Sequence, residues 1–302
     1  MRFSQKTKTV LAYTVCTLVW GTTWFSIRLT IAPGGYPTYE AAALRFSIAV
    51  VVIALCVPHE LARVRERVGT AFPWLCTAGL MNSASYALLY KGEENVPGSV
   101  AAVIYGALPL LTALGAAATR SERISAGQVG GGVVALGGIA MLFWDRLHVS
   151  REQAVGVGLV IGAVLANAAY LLLYKRKVHA EPSVATTGVF LAATTAGLWT
   201  SSLALGSRGI PWPPPVKATM ALVYLGLAGT VLTFVCYLYL IRHVGVATSS
   251  TLIIAESVLA LGVDRMWERQ GKLAALSYLG AAVALAGSAV SIVLRPEETP
   301  PS

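Results

Sequence analysis

The sequence predicts an all-α polytopic membrane protein, with ten transmembrane helices as two inverted five-helix repeats around a central cavity. Three observations predict it. Only 12% of the 302 residues are charged and 56% are hydrophobic, whereas a soluble domain carries about 25% charged residues. Ten apolar runs each approach the roughly 20 residues that a helix needs to cross about 30 Å of hydrocarbon. The third and fourth runs also resemble the eighth and ninth at a shift of 147 positions.

The runs cover approximately residues 10–31, 38–57, 71–91, 97–118, 125–144, 154–174, 184–205, 218–240, 246–265 and 273–294. Each is expected to be helical, because lipid offers no partner to free backbone N–H and C=O groups. The chain begins basic and turns apolar, as a signal peptide does. The apolar stretch continues to Ile27 without a small-residue cleavage pattern, so a retained first span is expected. With the N-terminus in the cytoplasm, thirteen of the 23 Lys and Arg fall in cytoplasmic segments, among them Arg63, Arg65, Arg67 and residues 175–177. That bias predicts cytoplasmic termini and a multi-pass protein of the cell membrane, a bacterial inner membrane. A monomer or weak dimer is expected.

At the 147-residue shift Gly79 meets Gly226, Tyr90 meets Tyr237, Gly98 meets Gly245 and Gly115 meets Gly262. "VVALGG" (133–138) echoes "AVALAG" (282–287) at a shift of 149. Residues 1–147 and 148–302 are therefore expected to form the two repeats. Five spans is an odd number, so the second copy enters the membrane in the opposite sense. Such halves commonly enclose a pocket near mid-membrane.

The ordered motifs carry a resemblance. "LVWGTTWFSIR" (18–28) resembles the Trp-Gly opening of EamA-type proteins of the drug/metabolite transporter superfamily. "EAAALRF" (40–46), "ALPLLTALGAAATRSERIS" (107–125) and "IIAESVLALGVDRMWERQ" (253–270) are similar to later motifs of the same family. The resemblance implies ten helices, an inverted repeat, cytoplasmic termini and movement of small organic solutes, amino acids among them. Three departures stand out: Ser121 and Trp267 replace the Gly before Glu-Arg in each half, Glu256-Ser257 replaces Glu-Pro, and Ser257 to Glu268 is shorter than Pro109 to Glu122.

Candidate pocket residues follow from polar groups at helical spacing, since positions three or four apart share a face. The first span offers Thr17, Trp20, Trp24 and Arg28, with Gly21 permitting a close neighbour. The third offers Asn82, Tyr86 and Tyr90, the fourth Tyr105, and the sixth Asn167, Tyr170 and Tyr174. The eighth offers Thr230, Thr233 and Tyr237, and the ninth Thr248, residues 249–251 and Glu256. Substrate binding is assigned to Trp20, Trp24, Asn82, Tyr86, Tyr90, Tyr105, Asn167, Tyr170, Tyr237 and Glu256. The competing readings are plain ones. Tyr90, Tyr174 and Arg28 also suit interface anchors, and a buried Asn also suits a helix–helix hydrogen bond. A carboxylate in mid-span is costly, so Glu256 faces the protein, is paired, or holds a proton. Arg45 needs a partner too: a carboxylate, a carbonyl or a substrate acid. Pro109 removes a backbone donor and is assigned as a hinge.

These features exclude several functions. No Walker loop is present, so transport is driven by a gradient or is facilitated. Cys16, Cys56, Cys76 and Cys236 lie in apolar runs and the four His lie in or beside loops, so neither metal nor cofactor is expected. The short basic clusters suit membrane loops rather than nucleic acid, leaving a small-molecule substrate and the bilayer as partners. The leading expectation is a non-enzymatic exporter of small metabolites, amino acids first and aromatic ones foremost, working by alternating access. A nucleotide-sugar or sugar-phosphate carrier is the rival, but intramembrane Lys is absent apart from span ends. A membrane-embedded lipid-modifying enzyme is the rival of another class, and no acid–base cluster supports it.

Overall fold

The computed structural model describes residues 4–58, 64–118, 125–144, 150–178, 183–206, 209–243, 252–267 and 275–294. Among these, every regular element is a helix. The order is α1 (Gln5–Ile31), α2 (Thr38–Cys56), the short α3 (Val64–Val68), α4 (Phe72–Glu93), α5 (Gly98–Tyr105), α6 (Leu108–Ala118), α7 (Ala126–Trp144), α8 (Arg151–Lys177), α9 (Val184–Ala204), α10 (Val216–Gly226), α11 (Thr233–His243), α12 (Leu252–Trp267) and α13 (Ala275–Val293). A π-turn, Leu227–Leu232, joins α10 to α11 in one span. Together α5 and α6 form the fourth span, so the ten expected spans are all represented.

Local sequence explains several helix starts. Ser4, Ser150 and Ser183 accept from the backbone N–H three residues on, satisfying a donor that the first helical turn leaves free. Ser125 and Gln128 cap each other reciprocally at the head of α7. Among the described residues, five segments are by themselves long and apolar enough to cross a bilayer: Gln5–Ile31, Thr38–Cys56, Gly98–Ala118, Arg151–Lys177 and Val216–Tyr237. Large apolar side chains such as Leu55, Val133 and Leu203 face outward, while Arg45, Glu40 and Asn82 are buried. This is the distribution that lipid as a solvent selects.

The packing pattern carries the repeat. The first span packs on the eighth and ninth, and the sixth packs on the third and fourth. The second packs on the eighth, and the seventh on the third. Exchanging each span with the one five places along converts one set of neighbours into the other. The pairs two–seven, four–nine and five–ten map onto themselves. The two echoed segments, 133–138 and 282–287, belong to one such self-paired couple, α7 and α13. These helices meet backbone to backbone: a methyl added at Gly138 would collide with the Ala284 nitrogen and the Gly280 carbonyl oxygen. Glycine is required there because only it lets two helix axes approach so closely.

The fourth and ninth spans differ although they correspond. The fourth is interrupted at Gly106 and Ala107, between α5 and α6. Pro109 accounts for this: it supplies no donor to the Tyr105 carbonyl four residues back, and its ring crowds that carbonyl. The break therefore lies upstream of the proline. In the ninth span Ser257 stands in α12, which runs unbroken over the described residues. Its hydroxyl donates to the Ala102 carbonyl of α5 at 2.9 Å and to Ile253 at 2.7 Å. Ser288 of α13 likewise donates to the Gly106 carbonyl at 2.8 Å. Two serines of the second half thus satisfy carbonyls around the break in the first.

Candidate functional site

Tyrosines from both halves converge in the interior. Tyr170 of α8 has Tyr86 of α4, Tyr237 of α11, Tyr105 of α5 and Tyr174 of its own helix among its ionisable neighbours. The Tyr105 hydroxyl pairs with Ser85 at 3.2 Å and is approached by the Asn167 side chain. Trp24 packs edge-on against Tyr105 with ring centroids 5.1 Å apart. Trp20, one turn earlier on α1, lies 5.3 Å from Tyr237. Tyr86 packs edge-on against Phe46 at 4.7 Å and lies 6.5 Å from Tyr90. Phe190 of α9 closes the cluster against Tyr170 and Tyr174. The result is an amphipathic cluster: ring faces suited to an apolar solute, hydroxyls and one amide suited to its polar groups.

Glu256 lies on α12 beside Cys16 of α1 and Tyr237 of α11. It is 9% exposed. Among the described residues it accepts no hydrogen bond and forms no ion pair. Tyr237 is half-buried and touches both Trp20 and the acid's surroundings, so it links Glu256 to the aromatic cluster.

Other expected pocket residues lie at the edge of this cluster or outside it. Asn82 is in the joint between α4 and α9, where its amide donates to the Thr194 hydroxyl at 3.2 Å. Thr194 in turn donates to the Gly79 carbonyl at 3.1 Å. Tyr90 is fully buried beside Arg45 rather than at an interface. Thr230 and Thr233 are also fully enclosed, with hydroxyls committed to their own backbone: Thr230 donates to Leu225 and Thr233 to Gly229. Residues 248–251 lie outside the described residues.

Arg45 meets a hydroxyl and a carbonyl with two of its nitrogens, while its buried Nη1 has no hydrogen bond. It is 2% exposed. Its Nε donates to Thr230 Oγ1 at 3.2 Å and its Nη2 to the Gly229 carbonyl at 3.3 Å. Its guanidinium also lies 5.3 Å from the Tyr86 ring and 5.5 Å from Phe46. It caps the π-turn, whose widened register frees carbonyls from the α-helical ladder. Thr194, Ser257, Ser85, Phe46 and Phe190 are the contributors that sequence spacing alone overlooks. Ser257 carried a usable signal, because it stands where the resembled family has proline.

Comparison with known proteins agrees with this architecture. The EamA-like transporter family matches twice, over residues 7–144 and 154–293. A protein of Streptantibioticus cattleyicolor named "Probable terminal-alkyne amino-acid exporter" is 26% identical, over 93% of this chain and 92% of that one. The "Uncharacterized inner membrane transporter YedA" of Escherichia coli is 24% identical, over 86% of this chain and 83% of its own. A solved crystal structure 20% identical superposes over 97% of this chain and 98% of that one, with a TM-score of 0.65, which supports the fold. The two family matches, the exchangeable packing of the halves and the apolar spans lead to one conclusion: this chain belongs to the EamA-like transporter family and is a multi-pass, all-helical membrane transporter.

Proposed function

We propose that the protein exports small organic metabolites, amino acids first and aromatic ones as the leading choice, by alternating access. The observation that carries this reading is the interior tyrosine cluster contributed by both halves, Tyr86 and Tyr105 from one and Tyr170 and Tyr237 from the other. A solute held there touches elements that must move relative to one another when the pocket changes sides. Binding and conformational exchange are then coupled without a soluble motor domain. The exporter name of one relative supports amino acids as the substrate class. Residues 1–147 and 148–302 are taken as the moving halves, with both termini in the cytoplasm and the chain acting alone or as a weak dimer.

The test is efflux from proteoliposomes loaded with labelled amino acids, with and without a pH gradient. Saturable efflux of at least one amino acid, fastest for aromatic ones, is the expected result. Failure to move any member of the panel would end the reading. Preferential movement of sugar phosphates would replace it with the rival carrier.

A further inference from the structure

The interior of the second half holds a carboxylate that packing does not explain. Glu256 is nine-tenths buried, and among the described residues nothing donates to it. A lone acid in a membrane interior is retained only at a cost of a few kcal/mol. It needs a proton or a cation that arrives from outside the chain. Tyr237 lies beside it, and the Tyr237 ring lies 5.3 Å from that of Trp20 at a 60° tilt. Two tilted ring faces next to an acid are suited to an alkylammonium group, since the π-faces attract the cation and the carboxylate supplies its counter-charge.

Among the described residues, complementary charge is held away from Glu256. Arg45 is held by Gly229, Thr230 and two aromatic rings, and its one nitrogen without a hydrogen bond, Nη1, is buried. The other basic residues described lie in or near terminal turns, including Arg28 in α1, Lys91 in α4, residues 175–177 in α8 and Arg265 in α12. Among the described residues, a substrate acid therefore finds no guanidinium or ammonium beside Glu256.

We infer that Glu256, with the Trp20–Tyr237 ring pair, is an ammonium subsite of the transport pocket, so that substrates are selected by a protonated amine and not by their carboxylate. This rests on the transporter reading above and goes further, because it ranks amines with no acid group above acids with no amine.

The experiment uses four probes of one ring system: phenylalanine, 2-phenylethylamine, N-acetylphenylalanine and 3-phenylpropanoate. Binding to the purified full chain in nanodiscs is measured by calorimetry, beside efflux of labelled phenylalanine from proteoliposomes. Phenylalanine and 2-phenylethylamine are expected to bind within about tenfold of each other, and the two probes without a free amine at least tenfold more weakly, a gap of about 1.4 kcal/mol. Glu256→Gln is expected to erase that gap, and Glu256→Asp, which keeps the charge, to retain it at reduced affinity. The wild-type ranking stands as a test even if the Gln variant fails to fold. Equal binding of 3-phenylpropanoate and 2-phenylethylamine, no binding by any probe, or an unchanged preference in Glu256→Gln would each overturn the subsite. The last result would leave Glu256 with a proton alone. Wild-type phenylalanine efflux alongside any of these leaves the transporter reading intact, whereas loss of efflux for every amino acid removes that reading instead.

Discussion

Arg45 of the second span donates through Nη2 to the Gly229 carbonyl inside the π-turn of the eighth span, 3.3 Å away. One side chain from the first half thereby holds open an irregular turn in the second. Thr233 donates to the same oxygen at 3.0 Å, so the carbonyl that the π register releases has two partners.

Replacing Arg45 by Gln is expected to destabilise the protein by roughly 3 kcal/mol, because truncating one member of a buried polar set leaves the other unsatisfied. Arg45→Lys is expected to recover less than half. One ammonium lacks the planar fork that reaches Thr230 and Gly229 together. Thermal unfolding in detergent, followed by far-UV circular dichroism, measures both. An Arg45→Gln variant as stable as the parent would show that the π-turn stands without its cap.

The equivalent joint on the other side of the pseudo-axis is neutral. There Thr194 bridges the Gly79 carbonyl and the Asn82 amide. Thr194→Val is expected to cost about 0.6–1.7 kcal/mol, the range of interhelical hydrogen bonds in membranes, and so distinctly less than Arg45→Gln. The same unfolding assay ranks the two. Equal losses would contradict the difference in chemistry described above.

Adjacent glycines in α7 give an internally controlled test of the α7–α13 contact. Gly138→Ala is expected to destabilise by about 1–3 kcal/mol, the usual cost of overpacking. Gly137 has nothing within 4 Å of the position a Cβ would take. Gly137→Ala should therefore be neutral or stabilising by about 0.5–1 kcal/mol, through helix propensity alone. Detergent unfolding midpoints that move together for both variants would place the close approach elsewhere.

Aromatic solutes should feel the loss of a ring from the pocket. Trp20→Ala and Tyr86→Ala are each expected to weaken binding of an aromatic amino acid about tenfold, or about 1.4 kcal/mol. Tyr86→Phe should change affinity less, because the ring that packs on Phe46 at 4.7 Å remains. Equilibrium binding of labelled solute to purified protein reads the effect. Unaltered affinity in both alanine variants would move the pocket.

Much of the frame was legible because hydropathy and spacing report burial in lipid directly. The echo between residues 133–138 and 282–287 led to two segments that pack on each other in α7 and α13. The tyrosines at helical spacing, Tyr86, Tyr105, Tyr170 and Tyr237, lie together. Partner identity was not legible. That Asn82 meets Thr194, 112 positions away, depends on how two helices are rotated about their axes, which periodicity leaves open when both faces are apolar. The guanidinium of Arg45 meets a carbonyl exposed only by a π register, and no residue type in 227–232 announces that register. The fourth-span break at Gly106 lies one turn before the proline that causes it, because proline acts on the carbonyl four residues upstream.

The corresponding helices that carry Pro109 and Ser257 are unlike: one is snapped in two, the other is unbroken over its described residues. A machine made of true mirror copies would idle with its mouth open to either compartment half of the time. Unequal stiffness across the twofold removes that degeneracy, and a difference of only about 1.4 kcal/mol tilts the resting occupancy tenfold. The outbound and return strokes of such a carrier are then separate events with separate rates. In the proposed alternating-access cycle, a proline on one side of the twofold and a serine on the other would give the molecule a preferred idle position.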